Sequence, residues 1–229
     1  MIDATRSEKY WRASALLLFV AVAVAALSTF RDYGLTWDEI FQVTYSEKIA
    51  AWFTSGFTNR EALSYNNLHM YGGFADLLGW VAGRLAGSPA GEPGIGPYYY
   101  EARHFVWVLF GLIGLIGTYR LAALMGGVRA GTLAMAALAL TPMYYGHLFN
   151  NSKDIPFAAL LIWALHALVA ASREVPRVSV KRAFYAAIAM GLTLGVRVGG
   201  VFVFGYLGLL WLGVLTLQWW RGHPASLAD

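Results

Sequence analysis

Long apolar segments separated by short polar stretches dominate this chain. Six segments of 14 to 21 residues can be marked, at residues 11–30, 105–125, 130–149, 155–171, 183–196 and 200–220. A helix needs about 20 residues to cross roughly 30 Å of hydrocarbon, and most of the six approach that length. The pattern predicts an all-α integral membrane protein with about six transmembrane helices, forming a single domain over residues 1–229.

A break is expected between the last two segments, which would be far too long as one helix. Arg197 is followed by a glycine pair at Gly199 and Gly200. Glycine weakens a helix, and an arginine is unfavourable where it faces lipid. The fifth helix is therefore predicted to end close to Arg197.

Ten of the 17 Lys and Arg residues fall in four clusters on one side of these segments and predict the orientation. They are Arg6, Lys9, Arg12, Arg120, Arg129, Arg173, Arg177, Lys181, Arg182 and Arg221. Because Lys and Arg concentrate in cytoplasmic loops, both termini are predicted to be cytoplasmic. A long loop, residues 31–104, and a short turn, residues 150–154, then lie on the opposite face. Ala21, Ala23 and Ala25 leave open a cleaved signal peptide as the alternative reading of the first segment.

The long loop carries a helical pattern of its own. Apolar side chains recur at helical spacing from Trp37 to Phe53, which predicts an amphipathic helix lying at the membrane interface. A second apolar stretch covers residues 68–85. Residues 87–97 are rich in Gly and Pro and predict a flexible connection.

Composition agrees with a membrane protein and excludes several kinds of site. Hydrophobic residues make up 58% of the chain and charged residues 13%, against roughly 25% charged in soluble domains. The net charge of +4 sits in short loops, which indicates topology rather than nucleic-acid binding. Cysteine is absent, so disulfides, thiolate metal sites and a thiol nucleophile are excluded.

Three carboxylates fall where the predicted topology places the non-cytoplasmic face. Asp38 and Glu39 follow the first segment, and Asp154 precedes the fourth. Thr36 and Glu39 match a helix capping box, and Asp154, two residues before Pro156, could be an N-cap. The functional alternative makes Asp38 a general base and Asp154 a second acid facing it, positioning an acceptor or a divalent cation.

Basic side chains near the same face are candidates for substrate binding. Arg197 offers a planar fork suited to phosphate, with snorkelling to the interface as the alternative. Lys153 and Arg103 are further candidates, and interfacial anchoring is the alternative for both, as it is for His104. His69 and His147 also lie towards this face, but a lone His is more often structural, and no metal-ligand spacing accompanies them.

The order of these motifs resembles a known family. They are Trp37-Asp38-Glu39, Gly126-Gly127, Leu140-Thr141-Pro142, Asn151-Ser152-Lys153-Asp154-Ile155-Pro156, and Gly191-Leu192-Thr193-Leu194-Gly195 followed by Arg197. The chain resembles the GT-C membrane glycosyltransferases from about residue 11 to 220. It is most similar to the bacterial branch of the protein mannosyltransferase and aminoarabinose transferase family, glycosyltransferase family 39.

The resemblance implies an inverting transferase that uses a polyprenyl-phosphate-linked sugar donor at a periplasmic or extracellular face of the bacterial inner membrane. Asp38 would deprotonate the hydroxyl of a lipid, glycan or protein acceptor, with Glu39 as its supporting acid. Asp154 would be the second acid with Lys153 beside it, and Arg197 would lie near the donor phosphate. Members of this family are more than twice as long, so the chain is expected to be an N-terminal half.

Two readings from other classes stay open. A small lipid or sugar transporter would place polar groups near the bilayer midplane, often in repeated halves. A non-catalytic assembly subunit would use glycines for close helix packing with partners. The glycines in question are Gly111, Gly114 and Gly117 in the second segment, and Gly205 and Gly208 in the sixth.

Overall fold

A computed structural model describes residues 4–87, 96, 98–175, 177–220 and 222, and within them the chain is all-α. The helices are α1 (Ala4–Thr29), α2 (Trp37–Thr54), α3 (Phe74–Leu85), α4 (Tyr99–Ala139), α5 (Pro142–His147), α6 (Asp154–Ser172), α7 (Val180–Leu194) and α8 (Val201–Trp220). Short 3-10 turns occur at Glu61–Ser64, Leu68–Met70 and Val198–Gly200. Most of the predicted connection at residues 87–97, and Arg221, lie outside the described residues.

Among the described residues, four helical stretches are long and apolar enough to cross a membrane. They are Arg6–Thr29, Tyr99–Ala139, Asp154–Ser172 and Val198–Trp220. The first, fourth and sixth predicted segments correspond to three of them, and the second and part of the third share Tyr99–Ala139. The fifth predicted segment forms α7, whose 15 residues rise only about 22 Å. An α-helical membrane protein is therefore confirmed, and six crossings stay a prediction.

The chain reverses direction within α4. Gly126 and Gly127 leave helical geometry, and Gly127 has a φ of 80°, a conformation that favours glycine. A methyl group placed on Gly131 would lie 2.8 Å from the Tyr119 carbonyl oxygen. Twelve residues of continuous helix would separate those two positions by about 18 Å. The two parts of α4 therefore form an antiparallel hairpin at the break that the sequence predicts.

The third predicted segment, 130–149, is wrong as one continuous helix. Helix α4 ends at Ala139, and α5 starts at Pro142, which lacks the N–H needed to continue a helix. Leu148 and Phe149 follow α5 and are fully buried. Phe149 stacks on Tyr33 with ring centroids 3.6 Å apart. This insertion of the chain into the core fixes the start of the turn at residues 150–154.

The glycines of the second segment pack inside this chain rather than against a partner. A methyl group on Gly111 would overlap the Leu148 side chain, and one on Gly114 would meet the Tyr144 hydroxyl at 2.4 Å. Tyr144 Oη donates a hydrogen bond to the Gly111 carbonyl at 2.8 Å. These glycines allow α4 to approach α5 and α6 closely. The packing surface that the assembly-subunit reading requires at Gly111, Gly114 and Gly117 is therefore already occupied.

Helices α2 and α3 form a layer over one end of the hairpin. Helix α2 buries Tyr45 and Ile49 together with the polar Glu39, Gln42 and Ser46, while Trp37 is 82% exposed. Its buried face therefore differs from the apolar stripe that the sequence pattern predicts, and an amphipathic helix at the membrane interface stays a prediction. The strand-like segment before α3 joins this layer to the end of α7. Tyr71 and Arg197 form an isolated antiparallel bridge, and Phe74 N–H donates to the Gly195 carbonyl at 2.9 Å. The bridge fixes Arg197 in extended backbone beside Tyr71.

Candidate functional site

A polar cavity of about 240 Å³ lies where four distant parts of the chain meet. It is lined by Thr36, Asp38, Glu39, Gln42, Tyr71, His147, Asn150, Asn151, Ser152, Lys153, Asp154 and Arg197. The fold thus brings together five candidates from the sequence: Asp38, Glu39, Lys153, Asp154 and Arg197. The remaining two candidates, His69 and Arg103, do not line the cavity.

Asp38 presents an open carboxylate to this cavity. It lies in the first turn of α2 and is exposed, and no hydrogen bond or ion pair engages its side chain among the described residues. Asp38 therefore offers a carboxylate that can accept a proton from a bound molecule as a general base.

Glu39 is occupied by the protein itself. Its side chain is only 1% exposed and completes the capping box with Thr36, where Oε2 accepts a hydrogen bond from the backbone N–H at 2.8 Å. The other oxygen, Oε1, lies 2.9 Å from His104 Nε2. The capping alternative for Glu39 is confirmed, and these contacts hold the first turn of α2 in which Asp38 lies.

His104 and Arg103 are not interfacial anchors, because both side chains are buried. They are 2% and 0% exposed. Interfacial anchoring was inferred from their position at the start of an apolar segment. Trp107 follows them after three or four residues of α4 and Gly111 after four more, and this periodicity is the signal that could have placed them on the inner face.

The turn before α6 is ordered by one amide side chain. Asn151 Oδ1 accepts the backbone N–H of Asp154 at 2.7 Å and that of Lys153 at 3.2 Å. Asn151 Nδ2 donates to Asp154 Oδ2 at 3.0 Å. The helix begins at Asp154 and its N-cap is Lys153, so the N-cap reading of Asp154 is wrong. Its carboxylate lies in the first turn, where one oxygen accepts from Asn151 and the other pairs with Arg197.

Arg197 and Lys153 bring two cations to one aromatic ring, that of Tyr71. Arg197 forms an ion pair with Asp154, and its guanidinium carbon lies 5.3 Å from the Tyr71 ring centroid. Lys153 Nζ lies 4.3 Å from the same centroid. Both charges therefore lie at the cavity, and contacts within the protein hold them there.

A buried polar cluster adjoins the cavity at Gln42 and is completed by Ser46, Asp76 and Arg103. Arg103 Nη2 lies 3.8 Å from Asp76 Oδ1, and Nη1 donates to Ser46 Oγ at 3.5 Å. Burial raises the pKa of Asp76 to about 7, although Arg103 and Lys153 oppose that shift. Burial, with a smaller contribution from Asp76, also raises the pKa of Tyr45 to about 12. Asp76 is a site residue that sequence reasoning missed, since it lies inside an apolar stretch without a recognisable motif.

The two histidines considered for a metal site are separated. His69 is exposed on the Leu68–Met70 turn, whereas His147 lines the cavity with Nδ1 3.4 Å from Asn151 Nδ2. No group of three or more His, Asp or Glu side chains among the described residues could hold a metal ion. The acids at the cavity are Asp38 and Asp154, with the buried Glu39 at its edge.

An apolar groove of about 550 Å³ adjoins the polar cavity. The two share Tyr71 and Arg197 as a common wall. The rest of the groove is lined by Asn67, Met70, Phe157, Leu161, Val198, Gly199, Phe202 and Tyr206. A hydrophobic surface therefore leads directly to the guanidinium group of Arg197, with an acid-lined polar space on the other side.

Comparisons of this chain with models of protein families, with curated proteins and with solved structures find no match. The functional argument therefore rests on the geometry of the site and on the motifs of the sequence.

Proposed function

We propose that this protein is a membrane glycosyltransferase that moves a sugar from a polyprenyl-phosphate-linked donor to an acceptor hydroxyl. The observation that carries the proposal is the shared wall of Tyr71 and Arg197 between an apolar groove and an acid-lined cavity. A molecule with an apolar chain, an anionic phosphate and a polar sugar has the same three-part order. The motif resemblance to the GT-C enzymes leads to the same substrate class.

In the proposed complex the apolar chain occupies the groove and the phosphate meets the two cations. Arg197 is paired with Asp154, but a guanidinium carries five N–H donors and keeps some of them for a phosphate. Lys153 supplies a second positive charge, 4.3 Å from the Tyr71 ring centroid. These charges stabilise the phosphate as it gains negative charge on leaving, which is where transition-state stabilisation matters most.

The reaction is a single displacement at the anomeric carbon of the sugar. The acceptor oxygen forms the new bond to this carbon while the bond to the phosphate oxygen breaks, which inverts the configuration. Asp38 takes the hydroxyl proton, and the electron pair of the broken bond leaves with the polyprenyl phosphate. Glu39 supports the turn that carries Asp38 through its bonds to Thr36 and His104.

We further propose six membrane crossings with both termini in the cytoplasm and the cavity on the periplasmic face of a bacterial inner membrane. The supporting pattern is the concentration of Lys and Arg in four clusters on one side, which hold ten of the 17 such residues. The chain has no cysteine, so single cysteines introduced at Ser64 and at Arg177 can report the two sides separately. An impermeant thiol reagent added outside intact cells should label the first and not the second. Equal labelling, or the reverse pattern, would contradict the orientation.

The test of function is photo-crosslinking of a polyprenyl-phosphate probe to the protein in native membranes. Arg197→Ala should reduce labelling at least about tenfold, the loss expected when one charged hydrogen-bonding partner is removed. Arg31→Ala is the matched control, because Arg31 is also paired with an acid, Glu101, and does not line the cavity or the groove. Labelling that is insensitive to Arg197, or not competed by unlabelled polyprenyl phosphate, would argue against a lipid-linked donor site.

A further inference from the structure

A line of hydrogen bonds connects a fully buried carboxylate to the cavity. Asp76 on α3 is 2% exposed and does not line the cavity itself. With the Gln42 amide oriented to satisfy its neighbours, Nε2 donates to the two Asp76 oxygens at 3.0 and 3.2 Å. In that orientation Gln42 Oε1 accepts a hydrogen bond from Lys153 Nζ. Asp76 thus reaches Lys153 through a single amide.

The hydrogen bonds of Asp76 run towards the cavity rather than towards its buried cation. Arg103 Nη2 is 3.8 Å away, which is beyond hydrogen-bonding distance, and the Arg103 Nε and Nη2 atoms have no hydrogen-bond partner in the described part of the chain. A buried carboxylate is costly unless it is paired and hydrogen-bonded. The shortest contacts that meet this need are those from Gln42.

The carboxylate also selects which end of the Gln42 amide faces Lys153. An amide has a donor end and an acceptor end, and an ammonium group has only donors. Asp76 accepts the donor end, so the acceptor end is directed to Lys153. Without the carboxylate, the donor end of Gln42 could turn towards the ammonium, and the hydrogen bond would be lost.

We propose that Asp76 is a positioning residue for Lys153: its carboxylate fixes the Gln42 amide, which holds the Lys153 ammonium group over Tyr71 at the cavity. The role assigned to that ammonium, meeting the donor phosphate, rests on the proposed function. The positioning itself is a property of the protein and can be measured without any substrate.

The first experiment measures how fast an amine-reactive ester modifies Lys153 in the membrane-embedded protein, with mass spectrometry as the readout. Lys153 is half-buried and Lys48 on α2 serves as the internal reference. Asp76→Asn should raise the rate at Lys153 relative to Lys48 at least about threefold. An amide at position 76 has a donor end as well as an acceptor end, so it no longer fixes the Gln42 oxygen towards the Lys153 amine. Glu47→Gln is the matched control: Glu47 pairs with Arg84 across the same α2–α3 contact, away from the cavity.

Two further variants keep the test decisive. The double variant Gln42→Glu with Asp76→Asn places a carboxylate at position 42, next to Lys153, and should restore the slow rate of modification. If the Asp76→Asn protein does not insert into the membrane, Gln42→Met removes the amide that links Asp76 to Lys153 and should raise the rate of modification at Lys153. An inserted Asp76→Asn protein with an unchanged ratio overturns the proposal, as does an equal change in Glu47→Gln.

A second experiment connects the positioning to the donor. A short-chain polyprenyl phosphate should bind Asp76→Asn about three- to tenfold more weakly than wild type, yet the same change should have no further effect in a Lys153→Ala background. Losses that simply add would overturn the mechanism through Lys153. If wild type does not bind this probe, the proposed function is wrong, and the labelling ratio alone decides the role of Asp76.

Discussion

Asp38 and Glu39 are adjacent in the sequence and chemically alike, but they differ in burial and in hydrogen bonding. Asp38 is exposed at the cavity with no partner among the described residues, whereas Glu39 is 1% exposed and bonded to Thr36 and His104. Asp154 and Asp76 repeat the contrast, one 58% exposed and the other buried. The site therefore has an open layer of acids that can meet a substrate and a closed layer that holds the fold around it. Burial, rather than residue type, separates the two layers.

The largest effect is expected from Asp38→Asn. Loss of a general base should reduce sugar transfer by about 10²- to 10⁴-fold, because the amide cannot accept the hydroxyl proton. The free energy of unfolding should change by no more than about 0.5 kcal/mol, as for substitutions of other exposed residues. The measurement is transfer from a polyprenyl-phosphate-linked sugar alongside denaturation in the same detergent. Near-normal sugar transfer would show that Asp38 is not the general base.

The closed layer should make stability depend on pH through Asp76. Its folded pKa of about 7 lies above the ordinary value of 3.8, so its contribution is fully present below about pH 4 and is lost as pH rises through 7. The full shift corresponds to at most about 4 kcal/mol. Arg103 and Lys153 face this carboxyl and oppose the shift, and Tyr45 lies nearby.

Urea or thermal unfolding measured between pH 5 and pH 8 tests this dependence. Wild type should lose stability over that range, and Asp76→Asn should lose less, because the amide does not titrate. Glu47→Gln should keep the wild-type slope. A slope that Asp76→Asn leaves intact would assign the pH dependence to another group.

Glu39→Ala should affect folding more directly than chemistry. Removing its side chain abolishes the cap at Thr36 and leaves His104 without its partner, at a cost of roughly 1–3 kcal/mol. His104→Ala should cost a similar amount. Because the two residues share one contact, the double variant should cost clearly less than the sum. Additive costs in denaturant unfolding would show that the contact between Glu39 and His104 does not stabilise the protein.

The sequence predicted the open layer better than the closed one, and the reason is physical. Polar residues at the ends of apolar segments are visible as interruptions, so Asp38, Asp154 and Arg197 could be named. The interruption at Pro142 was visible too, although the segment was read as one span through it. Asp76 interrupts an apolar stretch as well, but its importance depends on Gln42 and Arg103, which only the packing of α2, α3 and α4 brings to it.

The smallest of these effects is expected from Asp154→Asn, which separates the two members of the open layer. Asp154 is 58% exposed, and its pairing with Arg197 should contribute at most about 1 kcal/mol to stability. Asn151 still orders the turn through two backbone N–H groups, so the local structure should persist. Arg197 would be held less firmly, so KM for the donor should rise a few-fold while kcat stays within about a factor of ten of wild type. A fall in kcat as large as that of Asp38→Asn would instead show that Asp154 takes part in proton transfer. The open layer would then contain two catalytic carboxylates, rather than one general base and one residue that holds Arg197.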